Sequence, residues 1–245
     1  MIEYNNQQTD PVTSKTSLSA LRQAAGILIG IVPIFIPVIL MHAGRKTAYS
    51  LTELMLYPLC AGTAGLIWIL AVYRVVHRRR PRDLNRKPGT AAGDMAAGMV
   101  LWLAFNAIFL LSRATLYRWL PSNPSSFGGL IEGLRESPWL LMLWLGPIVW
   151  IGVAAFEEVS RAFLLDRIGA VIPGRFGAGA AILGSSALMS LAHLYQGQAG
   201  MASVGLMALL SAVYYWKAGR IWPLIMAHAF YDSFWIALAV FQVRL

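Results

Sequence analysis

Several ionisable side chains sit within otherwise apolar stretches in the second half of this chain, among them Glu157, Glu158 and Arg161 in one, His193 in a second, and His228 and Asp232 in a third. Inside a bilayer each such group costs about 2.5–3.5 kcal/mol on insertion scales, a large sum against a net folding stability of about 5–15 kcal/mol. Groups of this kind persist by pairing, by facing water or by holding an ion. Carboxylates and imidazoles are also the side chains of proton transfer and of metal ligation. One glutamate, two histidines and an aspartate (Glu157, His193, His228 and Asp232) form a zinc-type donor set, although no H-E-x-x-H helix is present. The sole cysteine, Cys60, lies far from them in the sequence. Two plainer readings exist. Glu157 and Arg161, at i and i+4, could neutralise each other, and a lone histidine in a membrane helix often makes only an interhelical hydrogen bond. Ser190 and His193 form an ordinary i, i+3 pair and do not read as a nucleophile and its base.

Spacing brings the three stretches together. Arg175 lies eighteen residues after Glu157 and eighteen before His193, within a Pro173-Gly174 turn region. An antiparallel hairpin with equal arms puts Glu157 and His193 at about one depth. His228 lies roughly 12–15 Å beyond the Lys217–Arg220 turn at 1.5 Å per residue, which reaches nearly the same layer. His228 and Asp232, four apart, share a helix face.

These positions require membrane helices. A bilayer core takes about 20 apolar residues per helix, and seven such runs are predicted, over 24–43, 54–73, 91–111, 138–168, 177–195, 201–216 and 221–243. The fourth begins at Ser137-Pro138 as N-cap and first residue and bends at Gly146-Pro147. Asp94 and Asn106 read as helix-pairing groups, and His42 and His77 as interfacial residues at span ends. The fold class is therefore an all-α, polytopic transmembrane bundle of about seven spans. It divides into a polar tail at 1–20, N-terminal helices and loops at 21–137 and a core at 138–245 that holds the buried ionisable groups. The first apolar run is too long for a signal peptide and is expected to stay in the mature protein.

Composition agrees. Of 245 residues, 58% are hydrophobic and only 13% charged, about half the charge of a soluble domain, and the mean hydropathy is +0.60. So few charges exclude a soluble globule and a disordered chain, and one cysteine excludes a disulfide scaffold. The net charge of +9 is not a nucleic-acid signature. Seven of the 20 basic residues (Arg74, Arg78, Arg79, Arg80, Arg82, Arg86 and Lys87) fall in one loop between apolar runs, which is a topology signal. It places the 74–90 loop and the N-terminus in the cytoplasm, with the cell membrane as the expected location. Arg113, Arg118 and Arg135 then fall outside, against the rule.

Phe156-Glu157-Glu158-Val159-Ser160-Arg161, then Ala192-His193-Leu194-Tyr195-Gln196-Gly197, then His228-Ala229-Phe230-Tyr231-Asp232 resemble the three motifs of the CPBP intramembrane proteases, the CAAX prenyl endopeptidases and their bacteriocin-processing relatives. The family patterns are EExxxR, FxxxH and HxxxN or HxxxD, and the resemblance covers about residues 138–240. Here the arginine comes one position early, about 100° around the helix, which makes Glu157 its expected partner. Met189 stands at the phenylalanine position. The resemblance implies hydrolysis of a peptide bond in a membrane-anchored protein or peptide, with Glu157 and His193 activating water, His228 donating to the oxyanion, Asp232 orienting His228, and Glu158 and Arg161 in support. No cofactor is implied on the glutamate reading. The zinc reading uses Glu157, His193, His228 and Asp232 as ligands. A transporter or a silent partner-binding protein would use the same polar cluster differently. A transporter would be expected to show two inverted halves, whereas the ionisable residues cluster in the second half.

Overall fold

The computed structural model describes residues 21–33, 35, 50–123, 128–172 and 174–242. The 1–20 tail, the rest of the first predicted span with Pro37 and His42, most of the 44–53 loop and the Arg175 side chain lie outside the described residues. Every regular element described is helical. Five helices are long and apolar enough to cross a membrane. They are α2 (Leu51–Val75), α3 with the short α4 (Ala91–Trp119 together), α6 (Pro138–Val171), α8 with the 3₁₀ turn before it (Leu194–Ala218 together) and α9 (Trp222–Val240). Here α3 is Ala91–Ala114, α4 is Leu116–Trp119 and α8 proper is Gly197–Ala218. The shorter apolar helices are α1 (Leu21–Pro33) and α7 (Gly174–Ala192). Six of the seven predicted spans map onto α2, α3, α6, α7, α8 and α9, and α1 covers part of the first among the described residues.

One region differs from its prediction. Residues 112–137, read as a loop, contain the end of α3, α4 and an amphipathic helix α5 (Gly128–Glu136). Helix α5 buries Leu130 and Leu134 against the bundle. Nine residues are too few to register as a span, and Gly128-Gly129 at the start reads as a turn. Arg135 in its last turn donates to the carbonyls of Ala239 (3.1 Å) and Val240 (3.1 Å), satisfying the open end of α9.

Helix α6 bends where Pro147 removes a backbone donor. Gly146 departs from helical geometry (φ −94°, ψ −111°), and wide π-type turns run over Trp144–Ala155 before regular α geometry resumes at Phe156. A second π-type stretch, Tyr57–Gly62, lies in α2. The two meet backbone to backbone. A Cβ on Gly62 would overlap the Gly152 carbonyl, and one on Gly152 would overlap that of Pro58.

The most extensive helix pair is α3 with α9. Edge-to-face rings fill it: Trp102 on Phe234 (5.6 Å), Phe105 on Tyr231 (6.2 Å) and Phe109 on Trp235 (4.6 Å). Asp94 at the start of α3 pairs with Arg220 in the turn before α9, so Asp94 does tie elements together. Asn106 instead donates to the Trp102 carbonyl of its own helix (2.7 Å). Helices α7 and α8 approach closely through small buried residues, among them Ala181 and Ser185 on one and Ala199, Ser203, Ala208 and Ala212 on the other. Large apolar side chains such as Leu103, Leu111, Leu183, Leu206 and Trp222 face outward. Such an apolar exterior matches a hydrocarbon surrounding, and the protein is an integral membrane protein.

Candidate active site

Regular α geometry resumes at Phe156, which sets two adjacent glutamates about 100° apart around α6. The Glu157 side chain keeps 18% of its exposure, whereas that of Glu158 keeps 1%. Glu157 Oε1 lies 3.8 Å from His193 Nε2, and Glu157 Oε2 lies 4.0 Å from His228 Nε2. His228 Nε2 lies 3.5 Å from Asp232 Oδ2, one turn along α9. All four predicted residues thus converge, from three separate helices.

Glu158 faces the other way. Its Oε1 is 2.9 Å from His228 Nδ1, and its Oε2 pairs with Arg161. This corrects the expectation that the early arginine would turn to Glu157. At i, i+3 the guanidinium reaches the buried carboxylate on its own side of the helix, and Glu157 is left to the histidines. Arg161 Nε is buried without a hydrogen-bond partner. The hold of Glu158 on His228 was not legible from spacing, because it depends on the rotation of α9 against α6.

His193 follows the last residue of α7, and its Nδ1 lies 2.8 Å from the Met189 carbonyl. A carbonyl only accepts, so Nδ1 carries a proton, and Nε2 is the ring nitrogen turned toward Glu157. The Tyr195 ring lies 5.7 Å from the imidazole, tilted by 31°. Ser190 Oγ donates to the Met201 carbonyl (2.8 Å) and not to His193.

The turn after His193 is pinned from the N-terminal half. Asn123 N–H donates to the Gln196 carbonyl (3.0 Å), Asn123 Nδ2 to the Tyr195 carbonyl (3.2 Å) and Ala199 N–H to the Pro121 carbonyl (3.0 Å). Gly197 adopts φ +80°, a left-handed conformation, and a Cβ there would press on Pro121 and Ser122. Sequence reading missed this strap, since Pro121 and Asn123 carry no pattern of their own.

The arrangement brings carboxylates and imidazoles together within a bundle of helices long enough to span a membrane, and such groups can carry acid–base chemistry. Residues 138–234 match the family described as type II CAAX prenyl endopeptidase Rce1-like. The match supports intramembrane endopeptidase activity in broad class, with a membrane-associated protein as the suggested class of substrate. No curated protein and no solved structure matches the chain.

Proposed function

We propose that the protein hydrolyses a peptide bond at the level of the bilayer with water activated by Glu157 and His193, without a metal. The observation that carries this reading is the Glu157 carboxylate lying 3.8 Å from His193 Nε2 and 4.0 Å from His228 Nε2. A water about 2.8 Å from Glu157 and from His193 Nε2 closes a triangle on that first separation. Glu157 takes one proton as the water oxygen attacks the carbonyl carbon, and the His193 lone pair accepts a hydrogen bond from the other. The tetrahedral intermediate then collapses. The C–N bond breaks and the proton held by Glu157 passes to the departing nitrogen.

His228 is the proposed oxyanion donor. Both its ring nitrogens face carboxylates, Glu158 at 2.9 Å and Asp232 at 3.5 Å. The ionised Glu158 only accepts, so Nδ1–H donates to it, and in the imidazolium form Nε2 carries a second proton, beside Asp232 and available to the oxyanion. Glu158, fixed by Arg161, orients the ring, and Asp232 steers Nε2–H toward the reacting carbonyl. The arginine-rich 74–90 loop and the N-terminus are assigned to the cytoplasm, and the cell membrane is the proposed location.

The test compares membrane-protein termini in wild-type cells and in a Glu157→Ala strain. A set of uncut termini confined to the variant supports the reading and names the substrates. Unchanged termini, or full cleavage of any substrate so named by purified Glu157→Gln protein, would remove Glu157 from the mechanism. Purified protein is expected to keep cutting after stringent chelation, and strict dependence on added zinc would replace the metal-free route.

A further inference from the structure

At the far end of α6 a second polar feature lies apart from the catalytic cluster. Asp166 is nine residues beyond Glu157, about 14 Å along the helix. Around it opens a cleft of about 360 Å³ whose lining includes Arg79, Arg86, Arg167, Tyr73 and Trp216. Three arginines face two aspartates, Asp83 and Asp166, so the cleft carries excess positive charge. Asp166 is already engaged, by the Tyr73 hydroxyl (3.1 Å) and by Arg86 (3.5 Å).

Two of the three guanidinium groups, those of Arg86 and Arg167, are held in place. Arg86 donates to the Tyr215 carbonyl (2.8 Å) and lies over the Tyr215 ring (4.6 Å), yet its side chain keeps 35% exposure. Arg167 bonds Gln23 (2.9 Å) and lies over Tyr73 (5.6 Å). It is only 8% exposed, and its Nε is buried with no partner. Arg79 is exposed and makes no ion pair among the described residues. The residue before it, Arg78, adopts φ 54°, a left-handed position where glycine is usual, while Arg79 N–H bonds the Tyr73 carbonyl (3.0 Å) and closes the helix end. Strain of this kind collects where a local geometry serves a site. A concave surface lined by fixed guanidinium groups is a receptor for a tetrahedral oxyanion.

We propose that this cleft binds a phosphate-class oxyanion, supplied in the membrane by the headgroup of an anionic phospholipid. The cleft lies where the apolar helices α2, α6 and α8 end, which is the headgroup layer, and Val75 and Ile172 are exposed at those ends for the acyl chains.

The experiment is thermal unfolding of the purified full chain in detergent, titrated with phosphatidylglycerol, with phosphatidylcholine and with inorganic phosphate. Phosphatidylglycerol is expected to raise the unfolding temperature saturably, and phosphatidylcholine to leave it unchanged. Arg79→Ala should raise the half-saturating lipid concentration about fivefold, the scale of one basic residue at an anionic surface. Arg82→Ala removes the same charge from the same loop outside the cleft and should shift it by less than about twofold. Arg167→Lys keeps the charge but loses the planar fork, and should also weaken binding. Equal effects of Arg79→Ala and Arg82→Ala, or no saturable effect of any anion, overturn the site. Protection by inorganic phosphate that phosphatidylglycerol does not improve overturns the lipid as its occupant.

Discussion

Two adjacent glutamates on α6 have opposite surroundings, and their substitutions should separate. Glu157 touches no cation of its own helix and faces the histidines at 3.8 and 4.0 Å. Glu157→Gln is expected to lower turnover by about 10²–10⁴-fold, the usual contribution of a general base, with an unfolding temperature close to wild type. Glu158 is buried between Arg161 and His228. Glu158→Gln leaves Arg161 without its counter-charge and should cost about 3–5 kcal/mol of stability, read as a clear fall in unfolding temperature. Motif spacing identified all the side chains of this cluster, because ionisable groups are conspicuous in apolar runs. It misassigned the partner of Arg161, since a one-residue shift alters which carboxylate a flexible guanidinium can reach. His77, just beyond α2, illustrates another limit. Read as merely interfacial, it packs on Phe163 (5.6 Å) and meets Arg167 (3.3 Å). Burial, and then the charges of Arg167 and Arg22, hold its pKa down at about 4. The unfolded chain therefore binds more protons between about pH 4 and 6.5, so this contribution to stability is complete above that window and is lost as pH falls through it. Thermal unfolding of His77→Gln at pH 7 and pH 5 should show a smaller difference than wild type.

Between elements, the decisive contact is the one between the two π-type stretches. Gly152 lies five residues before Glu157 and leaves no room for a Cβ beside the Pro58 carbonyl. Gly152→Ala should therefore destabilise by about 1–3 kcal/mol through overpacking, and should reduce turnover by displacing the start of the regular helix. Gly179 on α7 has open space where a Cβ would go. Gly179→Ala should be neutral or stabilising by up to about 1 kcal/mol, which makes it the matched control in the same unfolding assay. The kink at Gly146-Pro147 was legible, because proline removes a helix bond at a known place. The wide turns after it were not. They depend on the fit of α6 against α2, and no local residue pattern encodes that fit.

For the molecule as a whole, hydropathy located all seven apolar helices, because each must satisfy its backbone within itself. Helix ends moved by a few residues, and α5 was lost for want of length. The proposed orientation rests on six basic residues between α2 and α3, with Arg74 in the last turn of α2. In a Cys60→Ser background, Arg82→Cys should react with a membrane-impermeant maleimide only from the cytoplasmic side, as read by labelling of intact against opened cells. Labelling in intact cells would reverse the topology.

The strap from Pro121 to Asn123 bears on where a minimal fragment could begin. The family match starts at residue 138, yet the turn that follows His193 is fastened by backbone groups that precede that border. A truncation that keeps every motif would forfeit that fastening, the aromatic seam along α3 and the Asp94 tether. Residues 138–234 expressed alone are therefore expected to lack the activity of the full chain, although they hold all three motifs.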